Sequence, residues 1–186
     1  MHSQGFPPIA RRDARVLVLG SLPGQESLRR RQYYAQPRNA FWPIMGALCG
    51  ARPELPYPAR TRRLAASGIA LWDVCATAFR AGSLDASILA GSVVVNDFAA
   101  FLARHRRIRL VCFNGRTAAA LYRRHVLPAL PAGARALATL ELPSTSPAHA
   151  ALSPARKLAR WRQLVGALGR RPRRRLARRA AAARRG

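Results

Sequence analysis

"RVLVLGSLPG", residues 15–24, is the stretch on which the fold turns. Residues 15–19 form a short apolar run that Gly20 brings to a stop, which predicts a buried strand running into a glycine-containing loop. Outward from it, apolar patterning alternates. Residues 39–50 predict a helix with Phe41, Ile44, Met45 and Leu48 on one face, and 58–66 predict another. "GIALWDV", 68–74, reads as a second strand. "SLDASILA", 83–90, has a Ser cap and an Asp in the first turn of a short helix. "VVVND", 93–97, suits a strand or a strand-to-helix corner, and 97–105 a helix. "IRLVCFNG", 108–115, is a strand ending in glycine, continued as a helix by "RTAAALYRRHVLPAL". A last strand falls near 135–141. "SPARKLARWRQLVGAL", 153–168, opens on Ser-Pro and carries Leu158, Trp161, Leu164, Val165 and Leu168 at helical spacing. This order, β-α-β-α-β-α-β-α, predicts an α/β fold with a parallel sheet covered by helices on both faces. In such sheets ligands bind beyond the carboxyl ends of the strands. The segments expected there are "GSLPG", "DVCATAFRAGS", "FNGR" and "PSTSPAHA".

Composition narrows the partner. The 186 residues suffice for one domain with a real core, and the expected domain is 1–169. Lys and Arg total 33 against 7 acids, a net charge of +26, and Lys157 is the one lysine. Arginine binds phosphate bidentately and stacks on bases, so nucleic acid is the natural polyanion. A GC-rich genome would explain arginine in place of lysine, but not the shortage of acids. From Arg170 to Gly186 the chain holds nine arginines and no acid, which reads as a disordered basic tail adding non-specific affinity. No apolar run approaches the ~20 residues of a membrane span, and the N-terminal segment lacks the apolar core of a secretory signal. Cys49, Cys75 and Cys112 are too few and too scattered for a disulfide framework or a four-thiolate cluster. A cytoplasmic, nucleoid-associated protein is expected. No His, Cys and Asp set has metal-ligand spacing, and no carboxylate pair suits two-metal chemistry.

Residues 20–42, "GSLPGQESLRRRQYYAQPRNAFW", put a flexible loop, aromatic rings, three consecutive arginines and an amide together. "GSLPG" is neither a Walker loop nor a dinucleotide fingerprint. Glycines commonly end strands, and here they also let a ligand approach the backbone closely. Trp42 and Met45 share a helical face and read as core. Tyr33 and Tyr34 sit in a non-periodic basic segment, where one of them suits base stacking. "LPSTSPAHA", 142–150, offers hydroxyls and free amides suited to phosphate, although a helix-capping loop has the same composition.

Four blocks, "LGSLPGQESLRRRQYYAQPRNAFWPIM", "LWDVCATAFRAGSLDASI", "FNGRTAAALY" and "LPSTSPAHA", occur in the order seen in the hypoxanthine-DNA glycosylase family of the uracil-DNA glycosylase superfamily, which residues 15–168 resemble. The resemblance implies a three-layer α/β/α sandwich, no cofactor, and a monomer acting on double-stranded DNA that contains deaminated bases, with single strands as the alternative. Hypoxanthine is the implied substrate, with uracil or xanthine as alternatives. A non-catalytic nucleic-acid-binding domain of the same fold is the rival reading. The family's catalytic asparagine falls on Asn39. Gly20, Ser21 and Leu22 would line the base pocket, with Tyr34 or Phe41 stacking on the base. Asn114, or Asp73 at a neighbouring strand end, would read the base edge. Gly24, Arg38, Ser144, Thr145, Ser146 and His149 would meet the DNA strand. Gln36 stands where the family usually has His. The iron–sulfur members of the superfamily need four cysteines, one more than this chain has. Lys157, the only side-chain amine, is expected in the last helix away from the strand ends, which points to a monofunctional enzyme.

Overall fold

The structure, a computed structural model, describes residues 2–169; the Arg-rich tail lies outside the described residues. In chain order the elements are β1 (His2–Gln4), β2 (Val16–Gly20), α1 (Gln25–Arg30), α2 (Phe41–Cys49), α3 (Tyr57–Ala66), β3 (Ile69–Asp73), β4 (Cys75–Phe79), β5 (Val94–Val95), α4 (Phe98–Arg104), β6 (Leu110–Asn114), α5 (Arg116–Leu121), α6 (Ala132–Arg135), β7 (Ala138–Leu142), α7 (Pro154–Trp161) and α8 (Gln163–Leu168). The apolar runs become a four-stranded parallel sheet in the order β3-β2-β6-β7. The expected parallel sheet is therefore present.

Alternate residues of each strand face opposite layers. Leu17, Leu19, Ala70, Trp72, Val111 and Phe113 pack against α4 and α5. Val16, Val18, Ile69, Leu71, Cys112 and Leu142 pack against α2, α3, α7 and α8. Burial on both faces is why these strands read as continuous apolar runs rather than as alternating ones. The result is three layers, α/β/α.

Several local expectations are corrected. "CATAF" forms β4 immediately after β3 and pairs antiparallel with β1 and β5, a second small sheet. Its alternation is too short, and β1 too polar, to stand out in the sequence. "SLDASILA" makes single tight turns at Asp85–Ser87 and Ala90–Ser92 rather than a helix, because little apolar surface holds it down: Leu84 and Leu89 are exposed and Ile88 alone packs on Leu22, Cys75 and Ala78. The helix after β6 widens by one turn at Tyr122–Val126 and tightens where Pro128 removes a donor. The last helix breaks at Arg162, giving α7 and α8.

In the parallel register Gly20 lies opposite Asp73, and Asn114 opposite Leu142. All four thus sit on one edge of the sheet, its carboxyl end.

Candidate active site at the strand ends

Gly20 has no room for a side chain. A Cβ there would stand 2.3 Å from Asp73 Oδ1 and 2.9 Å from Tyr34 Oη. Two polar groups from different elements therefore converge on the last residue of β2. Asp73 is 3% exposed. Its Oδ2 is buried without a hydrogen-bond partner, and the buried Tyr34 hydroxyl has the Asn114 amide beside it. Burial raises the Asp73 pKa to about 7; the charge of Asp85 adds to the rise and Arg80 opposes it. Burial, and then the charge of Asp73, also raises the Tyr34 pKa, so the phenol stays neutral. Tyr34 holds φ of +52°, uncommon for a residue with a side chain. Its ring stacks on Phe41, with centroids 4.0 Å apart. Phe41 itself has no exposed surface and lies under Tyr34, so of the two rings expected to stack on a base Tyr34 is the outer one. Tyr33 is core, its hydroxyl donating to the Phe6 and Pro7 carbonyls, and Trp42 is core as expected.

The loop after β2 is held from below by a residue that the sequence did not single out. Arg80 is 2% exposed and donates to the carbonyls of Leu22 and Gly82, at 3.2 Å each, and of Pro23. It also lies 3.6 Å from Asp85. Asp85 in turn accepts from Ser21 Oγ at 2.7 Å. Ser21 and Leu22 are thereby fixed, and the Leu22 side chain is turned into a small core with Cys75 and Ala78. Gly24 has ordinary φ and no close neighbour; the Ser83 hydroxyl beside it accepts from Gln25 N–H. Nothing in "FRAGS" distinguishes Arg80 from 31 other arginines, so its burial was not legible.

Asn39 sits one residue before α2's cap, and its Oδ1 accepts from Phe41 N–H at 3.0 Å. That bond orients the amide from the helix start. Gln36 shapes the turn before it: its side chain accepts from Arg38 N–H and its carbonyl from Asn39 N–H. Arg38 is exposed beside it. The next residue, Ala40, donates its N–H to the Thr145 carbonyl at 3.0 Å, which ties Asn39 to "PSTSPAHA".

Asn114 grips the same loop. Its Nδ2 donates to Thr145 Oγ1 at 2.9 Å, and its Oδ1 accepts from Thr145 N–H at 2.8 Å. The amide expected to read the base holds Thr145 through one N–H and its oxygen, and keeps a second N–H next to Tyr34. Thr145 is 1% exposed, so its hydroxyl faces inward rather than toward DNA. Gly115, at φ of +99°, leaves room for Ser144, whose Cβ would be 2.9 Å from a Cβ at 115. Ser144 Oγ accepts from Ser146 N–H, and Ser146 Oγ from Ala148 N–H, both at 3.2 Å. Each hydroxyl proton remains available to an incoming anion. His149 is half-buried, its N–H on the Ser146 carbonyl.

Lys157 is not remote, which corrects the expectation. It is 5% exposed and its Nζ donates to the Ser146 carbonyl at 3.0 Å, directly behind this loop. From the next turn of α7, Trp161 Nε1 donates to the Pro143 carbonyl at 2.9 Å. The segment between β7 and α7 is thus held by two side chains of α7. Among the described residues, no three His, Cys, Asp or Glu side chains come together as metal ligands.

This geometry has recognisable counterparts. The sequence profile of the Uracil DNA glycosylase superfamily matches residues 7–165. A protein of Methanosarcina acetivorans named Hypoxanthine DNA glycosylase is 39% identical over 119 residues, 63% of this chain and 74% of that protein. One of the same name from Methanosarcina barkeri is 37% identical over 117 residues, 62% of this chain and 73% of the relative. The solution structure of a Methanosarcina acetivorans protein described as a candidate uracil DNA glycosylase superposes with a TM-score of 0.70 at 33% identity, covering 88% of this chain and 99% of that one.

Proposed function

Because the chain belongs to the uracil DNA glycosylase superfamily, we propose that it is a base-excision repair glycosylase that hydrolyses the N-glycosidic bond of deoxyinosine in DNA and releases hypoxanthine. The relatives of that name support the substrate. The observation that carries the reading is the buried, unpartnered Asp73 Oδ2 at the strand ends, with the Tyr34 hydroxyl converging on the same glycine. Buried polar groups without partners cost free energy unless something supplies the partner. A flipped purine does so. Hypoxanthine presents an N1–H donor next to an O6 acceptor; ionised Asp73 accepts from the first, and neutral Asp73 or Tyr34 donates to the second. The Tyr34 ring is placed to stack against that base.

Asn39 contributes by position. An amide is too weak a base to deprotonate water, but it holds a water at C1′ while the bond breaks through an oxocarbenium-like state. The departing purine anion is met by the donors at the strand ends, and the phosphates around the sugar by Ser144, Ser146 and the exposed Arg38. The enzyme acts as a cytoplasmic monomer on the chromosome. The direct test uses oligonucleotides carrying hypoxanthine, uracil or xanthine opposite each partner base, with alkaline cleavage of abasic sites. Hypoxanthine should be removed fastest. Faster removal of uracil overturns the substrate reading, and no removal of any base overturns the enzyme.

Cleavage is hydrolytic in this reading and leaves the strand intact. A lyase needs an amine that attacks C1′, whereas the Lys157 ammonium faces the back of the phosphate loop, on the Ser146 carbonyl. Borohydride should trap no adduct with lesion DNA, and strand breaks should follow only alkali or heat. A trapped complex lost in Lys157→Gln would establish imine chemistry instead.

A further inference from the structure

Lys157 is the only lysine of a chain with 32 arginines, and it is buried. None of the ion pairs among the described residues includes it. Burial lowers its pKa, with no neighbouring carboxylate raising it again. Its one hydrogen bond is to the Ser146 carbonyl, which also accepts from His149 N–H. A buried cation without a counterion is costly and is rarely kept for packing alone, since a methionine or leucine would fill the space more cheaply. Arginine would not do: its wide fork needs several acceptors, while a single carbonyl suits a compact ammonium.

The loop beside this charge is held through its carbonyls. Its carbonyls at 143, 145 and 146 are occupied by Trp161, Ala40 and Lys157. The Ser144 and Ser146 hydroxyls accept from backbone amides, leaving their protons free. A phosphate oxygen received there would have hydroxyl donors before it and an uncompensated positive charge behind it.

We propose that Lys157 is a positioning residue of the DNA site: it pins the Ser146 carbonyl, and its buried charge finds its counterion in the backbone phosphate that the Ser144–Ser146 loop receives. The inference rests on the glycosylase reading and adds to it a residue acting from behind the contact surface.

The test is a double-mutant cycle between protein and DNA. Lys157→Gln keeps a donor for Ser146 and removes the charge. The probe is a duplex with a tetrahydrofuran abasic analogue, its flanking phosphates replaced one at a time by uncharged methylphosphonate. At one position the replacement should weaken wild-type binding about tenfold and the Lys157→Gln variant less than about twofold, because the two changes remove the same interaction. Equal factors at every position overturn the proposal. Should Lys157→Gln fail to fold, ¹⁵N-lysine labelling of the wild-type chain gives a single Nζ resonance. That resonance should move with the all-phosphate duplex and stay in place with the duplex methylphosphonate-substituted at the responsive position. A resonance that ignores both duplexes overturns the proposal. A wild-type protein that excises hypoxanthine yet shows no coupling sinks this inference alone; one that neither binds nor excises sinks the glycosylase reading with it.

Discussion

Asn39 carries two tasks, and they are separable. Its Oδ1 accepts from Phe41 N–H, a contact that helps start α2, and its amide is the proposed holder of water. Asn39→Ala should lose both, costing about 1 kcal/mol of stability as helix-start acceptors generally do. Asn39→Asp keeps the acceptor and should retain most of that stability. Single-turnover excision should fall by orders of magnitude in Asn39→Ala while DNA affinity changes little. A loss under about tenfold would remove Asn39 from the chemistry. Asp73 makes a prediction about pH. Its folded pKa, raised to about 7, exceeds the ordinary value of 3.8. The folded state therefore holds the proton more tightly than the unfolded chain. Ionised Asp73 costs stability progressively as pH rises from about 4 to about 7, and the cost is constant above that. Asp73→Asn, which cannot ionise, should gain stability relative to wild type at pH 8 and much less at pH 5. Denaturant melts at the two pH values measure this; an equal effect at both would mean that Asp73 ionises normally.

At the scale of elements, the site is assembled by residues that never face DNA. Arg80, just after β4, ties the loop after β2 through the Leu22 and Pro23 carbonyls, and is itself anchored by the Gly82 carbonyl and Asp85. Arg80→Met would leave those carbonyls without their donor and Asp85 with Ser21 alone, at a cost of about 1–3 kcal/mol, the range for buried acceptors left unsatisfied. The expected result is a lower melting temperature together with lower excision of every base. Asn114 does the same for the loop after β7. Asn114→Ala should free Thr145 and weaken excision of all accepted bases in the same proportion. A selective loss for one base would return Asn114 to the role of base reader.

At the scale of the whole molecule, charge and fold act separately. Deleting residues 170–186 removes nine arginines, taking the net charge from +26 to +17. Non-specific affinity should fall and the slope of log affinity against log salt should flatten, because fewer counterions are released from DNA. Excision at saturating enzyme should survive, since no residue of the strand-end cluster lies in the deleted segment. An unchanged salt slope in the truncated protein would show that the segment makes no contact with DNA.

What the sequence determined by itself follows from local periodicity and composition. Four apolar runs, each ended by or close to a polar turn, specified a parallel α/β sheet, and its carboxyl edge marked where Gly20, Asp73 and Asn114 would meet. The excess of arginine over acid specified a polyanionic partner. Tertiary structure decided which of those residues are free to act. Phe41 and Asn114 are equally polar or apolar in the sequence whether exposed or engaged; only packing shows that Tyr34 covers the one and Thr145 occupies the other. Arg80 and Lys157 carry the same charge as their solvent-exposed counterparts, and burial is a property of what surrounds a side chain, not of the side chain. Their positions beneath the two loops exist only because β4 turns back along β1 and α7 returns under the strand ends. Those are long-range contacts that no window of sequence contains.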